Sequence, residues 1–559
     1  MKIKSLTRNF RKAFLLSLVG FSGFYSLASD AQVAQMLTDT EKDKIRTSLV
    51  ADNPLNIASL DIPALVMIVL GKDHKLFTEA YNDYTDLDEK DKMVLNIMFD
   101  PAFQYYGLFD NALCYKLAYD SKNLENYDAS TTKDLNLNNG FWYPVSYAKT
   151  KSISLKMWND NTPKDIKYCD GASGEWSGNF LNYVTSSRMD VVRKVLYGGK
   201  RLTKFSADKF GSNNEKTTVY YKSKDSNGIE YKSVLLVHTP LLRDAHGWGK
   251  VFSPKMYEDK VSYYDFVDIK PKNDNNDALF LGMGGEDDQL DRSGFLRYGF
   301  VENAGLPGSK SIDSNASHFI WDWTSNETGD NTTLRDKKNG QVIGVFANRD
   351  APVTKNVIVV ACMGPKFTSD ASCYNYGTDQ NPSWRPIGVL QEYDGNSPES
   401  PIKFGLLTST WVKNISQGQV RANVGDFAKE LNTETGDFKY KGVACSNTNK
   451  YCGFVTSLDL FRIADANPQN QYKDCTREKA STILKGITDN QCRDWGNPVG
   501  TLLYQSATYF QGNNKSFVGE DKLGLMNVTY EDPYKTQKYC AKPVSLLIAD
   551  DAVTHDGGT

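Results

Sequence analysis

Two stretches of this chain are apolar runs, the later one broken only by Ser545. Residues 64–70, bounded by Pro63 and Gly71, are one, and residues 544–549, followed by Asp550 and Asp551, are the other. A strand apolar on every position is covered on both faces, the habit of a parallel sheet. Between them, residues 176–199 carry the helical spacing. Phe180, Leu181, Val184, Val191, Val192, Val195 and Leu196 recur every three or four positions and predict one amphipathic helix. Ser177 or Asn179 suits its start, Arg193 and Lys194 suit the negative end of its dipole, and Gly198-Gly199 ends it. A second helix is predicted over residues 500–510. Parallel strands joined through helices make an open α/β sheet.

The middle of the chain reads differently. From residue 204 to 440 the apolar runs are short, alternating and separated by turn residues, as at 217–221, 342–346 and 357–362. This is the signature of a β-rich insertion within the α/β domain. The predicted order is a signal peptide (1–31), a polar lead-in (32–60), the first part of the α/β domain (61–203), the β-rich insertion (204–440) and the remainder of the domain (441–559). The signal peptide rests on Lys2, Lys4, Arg8, Arg11 and Lys12, a short apolar run after them, and cleavage after Ala31, or alternatively after Ala28. No later stretch is long and apolar enough to span a membrane, so the mature chain is expected outside the cytoplasm without a transmembrane segment.

Composition narrows the classes. At 559 residues the chain can bury a large core, and a net charge of −3 leaves no field favouring nucleic acid. Export makes the nine cysteines disulfide candidates, and none forms a C-x-x-C pair. Proximity suggests Cys362–Cys373, Cys445–Cys452 and Cys475–Cys492, with Cys114–Cys169 a longer staple and Cys540 left over.

Several blocks, in order along the chain, resemble the PilC/PilY family of type IV pilus tip-associated adhesins. They are residues 73–88, 105–110, 168–169, 243–250, 385–391, 402–408, 495–500 and 532–543, together with the helical segment. In that segment the family signature residues are Trp176, Gly178, Asn179, Phe180, Leu181, Asn182, Arg188, Asp190, Arg193, Gly198 and Gly199. The resemblance implies a von Willebrand factor A-like open sheet with large β-rich insertions. It also implies a place at the tip of a type IV pilus, supporting assembly, twitching motility and adhesion. The implied partners are minor pilins on one side and a host or abiotic surface ligand on another. Family members usually carry a C-terminal β-propeller, and none is expected in this sequence.

Candidate chemistry is sparse. The resemblance implies a divalent cation held by strand-end oxygens, and calcium is the ion such ligands suit. Asp83, Asp86, Asp88 and Asp91 form the densest oxygen cluster, and Asp550 fits a late aspartate. Against a calcium loop, Lys90 stands at a ligand position and Asp91 where glycine makes the sharp turn. The plain alternative is a solvated acidic loop. No catalytic residues are expected: a hydrolase built on Asp244 and His246 would lack a G-x-S-x-G serine, and no H-E-x-x-H holds zinc. The functional reading is therefore a non-enzymatic, exported binding protein of the pilus. Its rivals are a secreted calcium-dependent binding module and a secreted hydrolase.

Overall fold

The computed structural model describes residues 63–71, 74–77, 79–81, 99–130, 132, 135–158, 162–205, 216–238, 248–269, 277–284, 295–302, 333–335, 342–345, 353–368, 370–395, 402–409, 418–440, 453–461, 498–512, 528, 530–536 and 541–549. The expected signal peptide and lead-in lie outside these residues. In chain order the principal strands begin with β1 (Ala64–Leu70), β2 (Leu113–Ala118), β3 (Leu124–Glu125), β4 (Phe141–Tyr147) and β5 (Trp176–Ser177). Then come β6 (Tyr220–Lys224), β7 (Glu230–Val237), β8 (Trp248–Phe252), β9 (Asp277–Gly284) and β10 (Phe295–Glu302). The last are β11 (Val353–Asn356), β12 (Ile358–Ala361), β13 (Ile402–Ser409), β14 (Gly418–Gly425) and β15 (Pro543–Ile548). The helices used below are α1 (Gly178–Thr185), α2 (Arg188–Tyr197), α3 (Phe454–Leu460) and α4 (Val499–Phe510). The described protein is mixed α/β and mostly β.

The two apolar runs are neighbours in one sheet of order β14-β13-β1-β15. β1 runs parallel to β13 on one side and to β15 on the other, while β14 closes the far edge antiparallel. Alternate side chains of β1 serve two cores, which is why the run has no polar position. Ile68 and Leu70 join a core with Met189, Leu196 and Tyr197 of α2. Leu65, Met67 and Val69 pack on the opposite face with Leu502 and Tyr509 of α4.

A second sheet has the order β3-β6-β7-β12-β4-β2-β5. Its strands come from both sides of residue 204. β7 shows the alternation of a two-faced strand. Val234 and Leu236 enter the core that holds Phe180, Leu181 and Val184 of α1, while Leu235 and Val237 enter a core with Phe141 and Val360. A third sheet, β8-β9-β10-β11, is antiparallel throughout.

Cys114 in β2 is bonded to Cys169, and Cys362 after β12 to Cys373. Cys445, Cys452, Cys475, Cys492 and Cys540 lie outside the described residues. No described helix is long and apolar enough to cross a membrane.

Candidate functional site

The segment read above as one helix is two. α1 ends at Thr185, Ser186 is extended (φ −76°, ψ 127°), and α2 starts after Ser187, also extended (φ −87°, ψ 158°). Each helix has its own serine cap: Ser177 accepts from the Phe180 N–H at 3.3 Å and Ser187 from the Asp190 N–H at 3.1 Å. The break has a packing cause. α1 belongs to the core of the second sheet and α2 to the core beneath β1. A straight helix of this length keeps one apolar stripe and serves one core; the two-residue break re-aims the chain toward another.

The polar signature residues are buried and engaged. Asn182 accepts from the Phe109 N–H at 3.0 Å and donates to the Tyr105 and Phe109 carbonyls at 2.9 and 2.8 Å. Asn179 accepts from the Tyr105 N–H at 2.8 Å and donates to the Phe103 carbonyl at 2.8 Å. These two amides supply loop 103–109 with the backbone partners that it lacks as irregular structure. Gly178 lets α1 approach the turn that leads into β2, since a Cβ there would lie 2.2 Å from the Asp110 carbonyl oxygen. Trp176 packs edge-on against Trp142, with ring centres 5.3 Å apart.

The second helix departs further from the sequence reading. Arg193 and Lys194 do not sit at the surface as dipole partners; they are 0% and 2% exposed. The Arg193 guanidinium donates to the Leu458 carbonyl at 3.0 and 2.9 Å and to the Phe461 carbonyl at 2.6 Å. Those carbonyls end α3, so a cation from α2 satisfies the C-terminus of another helix. Asp190 lies 3.7 Å from Arg193, accepts from the Ser187 hydroxyl at 2.7 Å and meets Nδ1 of His238. Burial alone would raise the Asp190 carboxyl, but His238, Arg193 and Ser187 outweigh it and hold it below the ordinary carboxylate range. Lys194 reaches Asp370 at 3.4 Å, and the Tyr197 hydroxyl donates to Asp459 at 2.7 Å. Arg188 donates to the Glu79 carbonyl at 3.0 Å. Gly198 and Gly199 hold the left-handed turn at φ 84° and 97°.

The opposite end of α3 is held by an anion. Glu430 accepts from the Phe454 and Val455 N–H groups, the latter at 3.0 Å. Its carboxyl is pushed up to about 7 by burial, against the pull of these two bonds. Nearby, Asp394 pairs with Lys403 at 2.8 Å, and burial raises its carboxyl to about 6. A third cluster joins Arg201, Arg385 and Asp437. Arg385 Nε lies 3.0 Å from Asp437, and Arg201 Nη1 lies 3.6 Å from it.

Together these groups form a polar seam, buried between the sheet around β1 and the sheet around β7. Its chemistry is that of holding: helix ends, loop carbonyls and opposite charges are each matched by a side chain from elsewhere in the chain. Ser187, Asp190 and His238 share the seam, but the serine hydroxyl donates to the aspartate and not to the imidazole. That order does not activate a nucleophile. The sequence held one missed signal, the Ser187-x-x-Asp190 spacing, which marks a fresh helix start. His238, Arg201, Glu430 and Asp459 carry no local pattern and are found through the fold.

The other candidates fall outside the described residues: Asp83, Asp86, Asp88, Asp91 and Asp550 of the calcium reading, and Asp244 and His246 of the hydrolase reading. Among the described residues, the one cluster with metal-ligand spacing is Cys114, Cys169 and Glu175, and its cysteines are bonded to each other.

Fold and seam define a mostly β, multi-sheet α/β protein, stapled by disulfides and tied internally by buried polar contacts. Residues 146–287 match the family model described as the PilY1 homolog small alpha/beta domain, and residues 404–559 match the PilY1 homolog second domain. The chain belongs to the PilY1 homolog family. The seam joins the two matched segments, since α2, Arg201 and His238 lie in the first and Glu430, Asp437, Asp459 and α3 in the second. The chain is 27% identical over 512 residues to a type IV pilus biogenesis factor PilY1 homolog of Xylella fastidiosa strain Temecula1, covering 88% of this chain and 28% of the relative. A second protein of that description from the same organism is 29% identical over 104 residues, 19% of this chain and 6% of the relative. The chain thus spans little more than a quarter of the first relative's length. No solved structure matches it.

Proposed function

We propose that this chain acts in type IV pilus biogenesis as a non-enzymatic, exported binding module. It works at the pilus tip or cell surface, contacting minor pilins and supporting assembly, twitching motility and adhesion to a surface ligand. The observation that carries this reading is the match over 88% of the chain to a type IV pilus biogenesis factor. The sheet around β1 is read as von Willebrand factor A-like. Three parallel strands with an antiparallel edge support that reading, as do the long insertions between β1 and β13 and between β14 and β15. On this reading the seam keeps the binding faces in fixed register, because its contacts tie α2 to α3 and to β7.

The test is a count of surface pili by electron microscopy in a strain lacking the gene. It is repeated after restoring the wild-type chain or the Arg193→Ala variant. Pili lost on deletion, recovered with the wild type and reduced with the variant are the expected result. Unchanged pili in the deletion strain would remove the assembly role.

A further inference from the structure

We infer that the buried guanidinium of Arg201 binds a small inorganic anion of the halide class at its Nε–Nη2 edge. Arg201 is 1% exposed. Its Nη1 donates to the Gly436 carbonyl at 2.9 Å, and the Phe438 ring covers one face of the guanidinium at 3.8 Å. Nε and Nη2 are both buried and meet no protein acceptor. Those two nitrogens share one edge of the plane, where their N–H bonds run parallel. This is the edge that grips an anion with two prongs. Unmet donors on a buried charged group are costly, so a resident partner is required there.

Charge decides between water and an ion. Asp437 is the one carboxylate paired with Arg201 among the described residues, and Arg385 claims it more closely, at 3.0 Å against 3.6 Å. Arg385 spends its Nη1 on the neutral carbonyls of Lys232 and Trp384. The remaining polar neighbours, Tyr440 and Tyr220, are phenols kept neutral by burial. Asp459, the next carboxylate along, is engaged by Tyr197. Two buried guanidiniums therefore share one carboxylate, whose side chain is 26% exposed. Water would satisfy the donors and leave the charge, whereas an anion settles both. Closure by Gly436, Asp437 and Phe438 limits the guest to a small ion taken up as the chain folds.

The test uses the full chain crystallised with bromide in place of chloride. An anomalous peak within hydrogen-bond distance of Arg201 Nε and Nη2 is expected; density there without an anomalous signal would overturn the assignment. In solution, replacing chloride by gluconate at constant ionic strength should lower the melting temperature by about 1 °C per tenfold fall in chloride. Arg201→Lys keeps the charge but loses the two-pronged edge, and should abolish that dependence. An equal dependence in both proteins would count against the site. Should the lysine variant not fold, the bromide experiment on the wild type decides alone.

Discussion

The Tyr197 hydroxyl donates to Asp459 at 2.7 Å, with 262 positions between them in sequence and both side chains buried. The bond joins the last turn of α2 to α3. Burial and the facing carboxylate together push the phenol far above its ordinary range, so it stays a neutral donor. It is one strand of a seam whose members come from distant parts of the chain. That layout sets how the protein should respond to change.

Arg193 is the seam's most committed cation. Arg193→Ala would leave the Leu458 and Phe461 carbonyls without their donor and Asp190 without one of the groups that face it. A loss of about 3–5 kcal/mol is expected, the range for stripping one partner from a buried ionic group. Urea denaturation read by fluorescence measures it. Arg193→Lys should fall between the two, because one ammonium cannot repeat the forked contact.

Glu430 should tilt stability with pH. Its folded carboxyl titrates at about 7 against an ordinary value of 4.5, so folding takes up a proton between those limits. Its contribution is full below about 4.5 and is lost as pH rises through about 7. Asp394, raised to about 6 from 3.8, adds in the same direction over its own window. Glu430→Gln should flatten the wild-type slope across that window. Urea midpoints at a series of pH values would show it, and an unchanged slope in the variant would refute the assignment.

Glycine positions separate crowding from backbone strain. A Cβ on Gly198 would meet the Pro386 carbonyl oxygen at 2.3 Å, and the residue sits at φ 84°. Gly228 has nearly the same φ, 82°, with nothing within 4 Å of that Cβ. Gly228→Ala should cost about 1–2 kcal/mol, the strain of the left-handed conformation alone. Gly198→Ala should cost clearly more, through forced movement of the 386 backbone. Melting curves of the two variants side by side make the comparison.

The two disulfides among the described residues close loops of different length, with 55 residues of separation for Cys114–Cys169 and 11 for Cys362–Cys373. Chain entropy alone gives about 4 kcal/mol for the first and about 3 kcal/mol for the second. Paired cysteine-to-serine variants, unfolded in urea, should preserve that order.

Much of the fold is legible in the residues. The runs at 64–70 and 544–549 do pair in parallel, but only the first is covered on both sides; Val544 of β15 is 45% exposed. The helix at α4 follows from periodicity, and β12 falls within the apolar run at 357–362. The break at Ser186 left one mark in the sequence, the Ser187-x-x-Asp190 spacing, but the apolar spacing continues across it and only two separate cores make it useful. Arg193 and Lys194 looked like surface cations because a last-turn position suits such residues whatever lies opposite. What lies opposite, the carbonyl end of α3 and Asp370, arrives from more than 170 positions away.

Sequence by itself determined where most of the apolar elements lie, the glycine stop at 198–199, the both-sides burial of β1 and the family resemblance. Each of these depends on neighbours within a few positions, or on patterns that repeat along the chain. Only the tertiary structure decided which polar residues are buried, which helix ends they satisfy and which charges share a partner. A buried charge is tolerable only when a matching group is placed beside it, and that placement belongs to the folded chain as a whole.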